Sequence, residues 1–180
     1  MAQILGMQEK RRQMAARKGF HGWTHRFSES YDENTRLEDL SDSTLGALIR
    51  GGEDASMPLY ELILGVKGLG MGPRFYFMEN VDKMAIMDIT LFLLDQLRFE
   101  AMRRLGWVDD HPTFHVPLMD LVEQFTGRFS SIRHQTPSLS SSHPLYSEYV
   151  ATFEGDRSSF VRRLIPEVLD VFGTEDGGVR

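Results

Sequence analysis

The sequence predicts an all-α fold, a compact bundle of about six helices around one long central helix. Apolar residues recur at helical spacing in several segments bounded by Ser, Pro and Gly, and the alternation typical of strands is almost absent. The longest such segment, residues 80–106, has no Pro or Gly before Gly106, which suits the end of a helix. Because this segment is apolar on nearly every side, we expect it to be buried all round, by other helices or by a second copy of the chain.

Start and stop signals define the helices before the central one. Ser41 is expected to cap a short helix. The next helix is expected to begin at Ser56, with Pro58 in its first turn, and to end at Gly68. Residues 73–78 read as a brief extended segment that leads into the central helix.

After Gly106 the sequence predicts three more helices. Apolar spacing indicates one over residues 116–134. A second is expected to follow a cap at Ser142, and the last is expected to open at Asp156 and to bend at Pro166.

The charge distribution divides the chain into a basic arm, a helical domain and a tail. We assign residues 1–27 to a basic, partly ordered N-terminal arm, residues 28–173 to a single helical domain and residues 174–180 to a loose tail. The arm has six Lys or Arg against one acid, whereas the net charge of the chain is −6. Nucleic-acid binding is therefore not expected except through the arm, whose charges the acidic stretch after it can also neutralise.

Composition excludes several classes of site. The chain contains no cysteine, so disulfides, thiolate metal sites and cysteine nucleophiles are absent. The longest uncharged run in the central helix, residues 89–94, is far short of the roughly 20 residues that span a bilayer. With no apolar signal region either, we expect a cytoplasmic protein that does not enter the membrane.

Two carboxylates, Asp88 and Asp95, lie one heptad apart on an apolar face of the central helix. Asp95 has Arg98 three residues later as a local partner, but every neighbour of Asp88 at three or four residues is apolar. Both are candidate catalytic residues, as a buried acid or base or as half of a two-carboxylate metal site. The alternatives are a cross-helix pair, for example with Arg74 or a histidine, and a face that lines a wet groove.

Two histidine pairs have the four-residue spacing that zinc-binding helices use. They are His21 with His25 and His111 with His115, and no Glu completes an HExxH motif in either pair. Gly22 and Pro112 interrupt both stretches, so His111 and His115 are retained only as weak metal candidates, and no cofactor is predicted.

The glycine-rich stretch at residues 65–72, GVKGLGMG, lacks the ending of a Walker loop and follows a helix, where phosphate loops require a preceding strand. We interpret it as a turn that permits close packing of helices.

The stretch from Arg128 to His134 has the Arg-x5-His form. It resembles the short motif of the HEPN ribonucleases, which are dimeric all-α proteins, although Phe129 stands where that family usually has a polar residue. The resemblance covers this one stretch and assigns no family; it implies a ribonuclease-like role for His134, a third candidate catalytic residue.

The sequence favours a non-catalytic helical interaction or regulatory protein that acts through a protein-binding surface. The alternative is a small enzyme or ligand-binding protein, metal-dependent or ribonuclease-like, with a carboxylate site on the central helix that a histidine from elsewhere can join. A homodimer is expected from the apolar faces of that helix and from Trp23 and Trp107, which are expected at the surface. The sequence does not decide between an enzyme and a non-catalytic protein.

Overall fold

The computed structural model describes residues 2–125 and 135–174, and over these ranges the all-α prediction is confirmed. The only β-pairing there is two isolated bridges, Arg36 with Pro117 and Val108 with Leu139. No helix within the same ranges is both long enough and apolar enough to cross a bilayer. The described α-helices are α1 (Ala2–Gly19), α2 (His21–Phe27), α3 (Asp42–Ile49), α4 (Glu53–Lys67), α5 (Asn80–Arg104), α6 (Leu118–Gln124), α7 (Tyr146–Ala151), α8 (Arg157–Arg162) and α9 (Ile165–Thr174).

The central helix is α5, and it ends where the sequence indicated. Gly106 adopts a φ of 76°, and the amide of Trp107 donates to the carbonyl of Met102 at 2.9 Å, closing the last turn. α5 packs against α3, α4, α6 and α9, and most of the residues of its second half are buried. The expectation of burial all round is wrong for the first half, where one face is exposed because none of the described elements packs on it.

Two expectations before α5 are corrected. α4 begins at Glu53 with Gly52 as its N-cap, so Ser56 is not the cap and Pro58 lies inside the helix. The carbonyl of Pro58 accepts a buried hydrogen bond from the Trp23 indole at 2.7 Å. Residues 72–77 are not extended but form a 3₁₀ helix, Gly72–Phe77, whose Phe75 ring stacks on Tyr60 of α4 at 4.0 Å.

The helices after α5 are shorter than expected. α6 ends at Gln124, and the rest of the stretch predicted to be helical, residues 126–134, lies outside the described residues. Ser142 does not cap a helix, since α7 begins only at Tyr146. The single helix predicted from Asp156 is two helices, α8 and α9, with Pro166 in the first turn of α9, where its missing N–H costs nothing.

The aromatic stretch after α1 packs into the core. Phe20 and Trp23 are buried, and their rings meet edge to face with centroids 5.1 Å apart. The expectation that Trp23 lies at the surface is therefore wrong, and Trp107 is half-buried.

Glycines allow α1 to approach α4 closely, which supports the packing role proposed for the glycine-rich stretch. A Cβ added at Gly65 would lie 2.4 Å from the backbone N of Gly19 and 2.5 Å from its Cα. Neither helix can move aside without disturbing the buried residues beside the crossing, among them Phe20 and Leu62. The crossing therefore requires a glycine at position 65.

We expect Gly65→Ala to lower the free energy of unfolding by roughly 2–3 kcal/mol, because the new methyl group must push the α1 backbone away from α4. Urea denaturation measures the loss. The matched control is Gly6→Ala, whose Cβ meets nothing within 4 Å and which should be neutral or slightly stabilising. Equal stabilities for the two variants would contradict the close crossing.

Candidate protein-binding surface on the central helix

A groove of about 650 Å³ runs along the first half of α5. The 3₁₀ helix and the end of α4 form one wall, and stacking of Phe75 on Tyr60 holds that wall in place. We call this cavity the α5 groove. Its lining side chains are Lys67, Leu69, Arg74, Phe77, Met78, Glu79, Asp82, Ala85, Ile86, Asp88, Ile89 and Phe125.

Large apolar side chains stand in solvent next to the groove. Val81 is 79% exposed, Met84 66% and Leu91 58%, and Met87 is also exposed. Their spacing of three or four residues places them on one side of the helix. We call these four residues the α5 stripe. Phe77, at the mouth of the groove, extends the apolar surface.

Asp88 lies within the stripe, between Met84 and Leu91, and the expectation that it is buried is wrong. Its side chain is exposed and lines the groove, as the wet-groove alternative anticipated. Arg74 lines the same groove, but Asp88 forms no ion pair or hydrogen bond with any residue in the described part of the chain. Asp88 is therefore a solvated carboxylate within an apolar surface.

Asp95 is occupied elsewhere. It forms an ion pair with Arg162 of α8, and both side chains are about one-quarter exposed. The local pairing expected with Arg98 is wrong, because Arg98 donates instead to the carbonyl of Ile49 at 3.2 Å. Asp88 and Asp95 are therefore not brought together in one site.

Glu100 is the fully buried carboxylate of α5, and it was not among the candidates predicted from the sequence. It accepts two hydrogen bonds from Arg103, each at 2.7 Å, and one from Arg104 at 2.8 Å. Hydrogen bonding to Glu100 raises the pKa of Arg103. Arg104 also reaches Asp42 of α3 at 2.6 Å. Arginines three and four residues after a glutamate were a visible signal for this cluster.

The metal candidates take part in separate contacts. Nδ1 of His111 lies 2.8 Å from the Thr113 hydroxyl, which donates to the buried amide oxygen of Gln96 at 2.8 Å. His115 contacts Glu38 at 3.0 Å and Asp110 at 2.8 Å. Nowhere among the described residues do three His, Asp or Glu side chains form a group that could hold a metal ion.

Two further histidine predictions can be placed. α2 is helical from His21 to His25 despite Gly22, contrary to the expected interruption, and both histidines are exposed. His134 and the Arg-x5-His stretch that contains it lie outside the described residues.

Comparisons with known proteins give no match, either to a family model, to a curated protein or to a solved structure.

Replacing the exposed and the buried carboxylate of α5 should change the free energy of unfolding by very different amounts. Asp88→Leu is expected to change the free energy of unfolding by no more than about 0.5 kcal/mol, since it breaks no contact among the described residues. Glu100→Leu is expected to lose roughly 2–4 kcal/mol, because Arg103 and Arg104 lose their buried partner. Thermal melts of both variants beside wild type measure this. A large loss for Asp88→Leu would show that Asp88 has a structural partner.

The ion pairs of His115 predict a pH-dependent stability. Hydrogen bonds that the His115 ring donates to Asp110 and to Glu38 raise the pKa of His115 above its usual 6.5. Because the pKa of His115 is raised in the folded state, the stabilisation from its ion pairs is fully present below about pH 6.5. It is lost as the pH rises through the folded-state pKa.

Urea midpoints at about pH 6 and about pH 8.5 test this, with His115→Gln as the comparison. Wild type should lose more stability than His115→Gln over that interval. Because the histidine is exposed, the difference should be small and should shrink with added salt. A difference of the opposite sign would contradict the ion pairs.

Proposed function

We propose that this protein is a non-catalytic helical interaction protein whose partner-binding surface is the α5 stripe together with the α5 groove. The observation behind this proposal is the row Val81, Met84, Met87 and Leu91, exposed on a helix whose second half is buried. Contiguous exposed apolar surface beside a concave wall is typical of binding sites for protein helices.

Covering the stripe is energetically favourable. Burying a Val, Leu or Met side chain completely contributes roughly 1.5–3 kcal/mol, and these four are about half to four-fifths exposed. Phe77, 88% exposed at the groove mouth, adds a large aromatic side chain. A partner that covers all five can therefore gain several kcal/mol before the costs of association.

A second copy of the chain is the occupant that the stripe fits best. Two stripes can pack antiparallel about a two-fold axis near residue 86, which sets Val81 of one copy beside Leu91 of the other. Such an isologous contact needs only one surface that packs on its own copy, and the stripe, which is apolar apart from the adjacent Asp88, is the surface proposed for it. The homodimer is thus the proposed assembly, acting in the cytoplasm, and a different protein with an amphipathic helix is the other possible partner.

Asp88 limits which partners can bind. A carboxylate in the middle of an apolar contact is costly to desolvate unless the partner supplies a cation or leaves it in water. The residue therefore contributes selectivity more than affinity. The catalytic alternative has less support. The carboxylate of Asp95 forms an ion pair with Arg162. No contact among the described residues favours Asp88 as an acid or base.

Leu91→Lys tests the proposed surface. It places a charge in the stripe without touching the core, so the fold should remain while the dimer dissociates, with an affinity loss of at least tenfold. Sedimentation velocity from about 1 to about 200 µM protein measures the dimer fraction. Phe153→Lys is the matched control, since Phe153 is 77% exposed but belongs to the loop after α7.

A wild-type protein that is monomeric over the whole concentration range would exclude the second copy as occupant. Equal dissociation in Leu91→Lys and Phe153→Lys would show that the stripe is not the interface. A dimer that persists in Phe153→Lys and is lost in Leu91→Lys would support it.

A further inference from the structure

A second cleft, of about 540 Å³, lies beside the segment that follows α4. We call it the basic cleft. Its Lys, Arg and His side chains come from three elements: Arg17 and Lys18 from the last turn of α1, His21 from the start of α2, and Arg74 from the 3₁₀ helix. Its remaining lining residues are Gly65, Gly68, Gly70 and Met71.

Three cations of this cleft have no counter-ion among the described residues. Some arginines elsewhere are paired with carboxylates, for example Arg12 with Asp120 and Arg104 with Asp42, each at 2.6 Å, whereas others, such as Arg98, bond backbone carbonyls. Arg17, Lys18 and Arg74 have no carboxylate within 4.0 Å among the described residues. In a chain with a net charge of −6, three such cations in one cleft are left available for an external anion.

The glycine-rich stretch shapes the cleft. The amide of Leu69 donates to the carbonyl of Leu64 at 2.8 Å and that of Gly68 to Gly65 at 3.2 Å, so these carbonyls at the end of α4 are already bonded. Gly70 has a φ of 114°, and a Cβ there would lie 2.8 Å from Cδ of Arg74. The positive φ favours glycine at position 70, and any larger residue there would also have to displace the Arg74 side chain.

Helix-dipole stabilisation alone does not account for this cluster. Arg17 and Lys18 suit the partial negative charge at the end of α1, which is roughly half an elementary charge. Arg74 belongs to a different element and adds charge beyond what that helix end requires. Glu61 belongs to α4. Burial of its carboxyl group raises its pKa, and the electrostatic effects of Arg26 and His21 act in the opposite direction.

The row of cations continues along α1. Lys10 and Arg11 are exposed and stand seven residues before Arg17 and Lys18, so all four lie on one side of the helix. Exposed Met14 lies among them. An extended polyanion that enters the basic cleft would therefore meet further positive charge along the helix.

We propose that the basic cleft binds the phosphate groups of a phosphorylated ligand, with Arg17 and Arg74 as its principal contacts. Guanidinium groups match phosphate oxygens in pairs of parallel hydrogen bonds, and Lys18 adds a point charge. The phosphates belong either to a free nucleotide or to a nucleic-acid backbone that follows the cation row to Lys10 and Arg11. The basic cleft shares Arg74 with the α5 groove but no residue with the α5 stripe, which Leu91→Lys tests, so either proposal can fail without the other.

The test uses three probes on the full chain: pyrophosphate and ATP by titration calorimetry, and a fluorescein-labelled single-stranded RNA of about 12 nucleotides by anisotropy. The variant is Arg17→Gln with Arg74→Gln. The control is Arg163→Gln, which removes one exposed charge at the end of α8. The double variant should bind at least tenfold more weakly and the control within about twofold of wild type.

The two sources of phosphate are separated by Lys10→Gln with Arg11→Gln. A nucleotide site predicts that ATP binding is unchanged in this variant and that RNA binds no tighter than ATP. A nucleic-acid site predicts tighter RNA binding that this variant weakens and that falls steeply with salt.

Either pattern supports the cleft. Absence of binding by all three probes, or binding by the Arg17 and Arg74 double variant within about twofold of wild type, would overturn the proposal. Thermal melts establish that the variants are folded, and the two single variants decide the outcome if the double variant is not.

Discussion

The buried carboxylate of Glu100 is the constraint on which the arrangement of α5 depends. A charge removed from water must be matched, and Arg103 and Arg104 surround it with three hydrogen bonds. Arg104 extends the cluster to Asp42 of α3 and to the carbonyl of Leu37. The last turns of α5 are thereby tied to the elements before α4, and the buried residues of its second half, such as Leu97 and Phe99, pack in fixed positions.

This anchoring makes the two halves of α5 different. The second half lies among α3, α4 and α9, whereas the first half passes the edge of the domain with the α5 stripe in solvent. An anchored helix that presents a rigid apolar face loses little conformational entropy on binding, which favours association. The exposed α5 stripe is therefore carried by a helix whose opposite end is held in the core.

The segment between α4 and α5 organises two surfaces at once. Gly65 in the last turns of α4 lets α1 cross closely, and Arg74 of the following 3₁₀ helix lines both the α5 groove and the basic cleft. A ligand in the basic cleft and a partner in the α5 groove would thus both lie next to Arg74. That proximity provides a physical route by which one binding event can influence the other.

The amino-acid sequence by itself determined the helical class, the limits of α5, the end of α4 at Gly68 and the packing role of the glycines, because periodicity and capping are local properties. It did not determine the shorter elements, where turns such as Gly72–Phe77 are stabilised by distant partners like Tyr60. Two charged residues of α5 were also predicted wrongly. Asp88 was expected to be buried because its neighbours on α5 are apolar. Glu100 was not a candidate, although Arg103 and Arg104 follow it at three and four residues. Only the tertiary structure decided which face of α5 is covered, because burial depends on the elements packed against a helix and not on the helix alone.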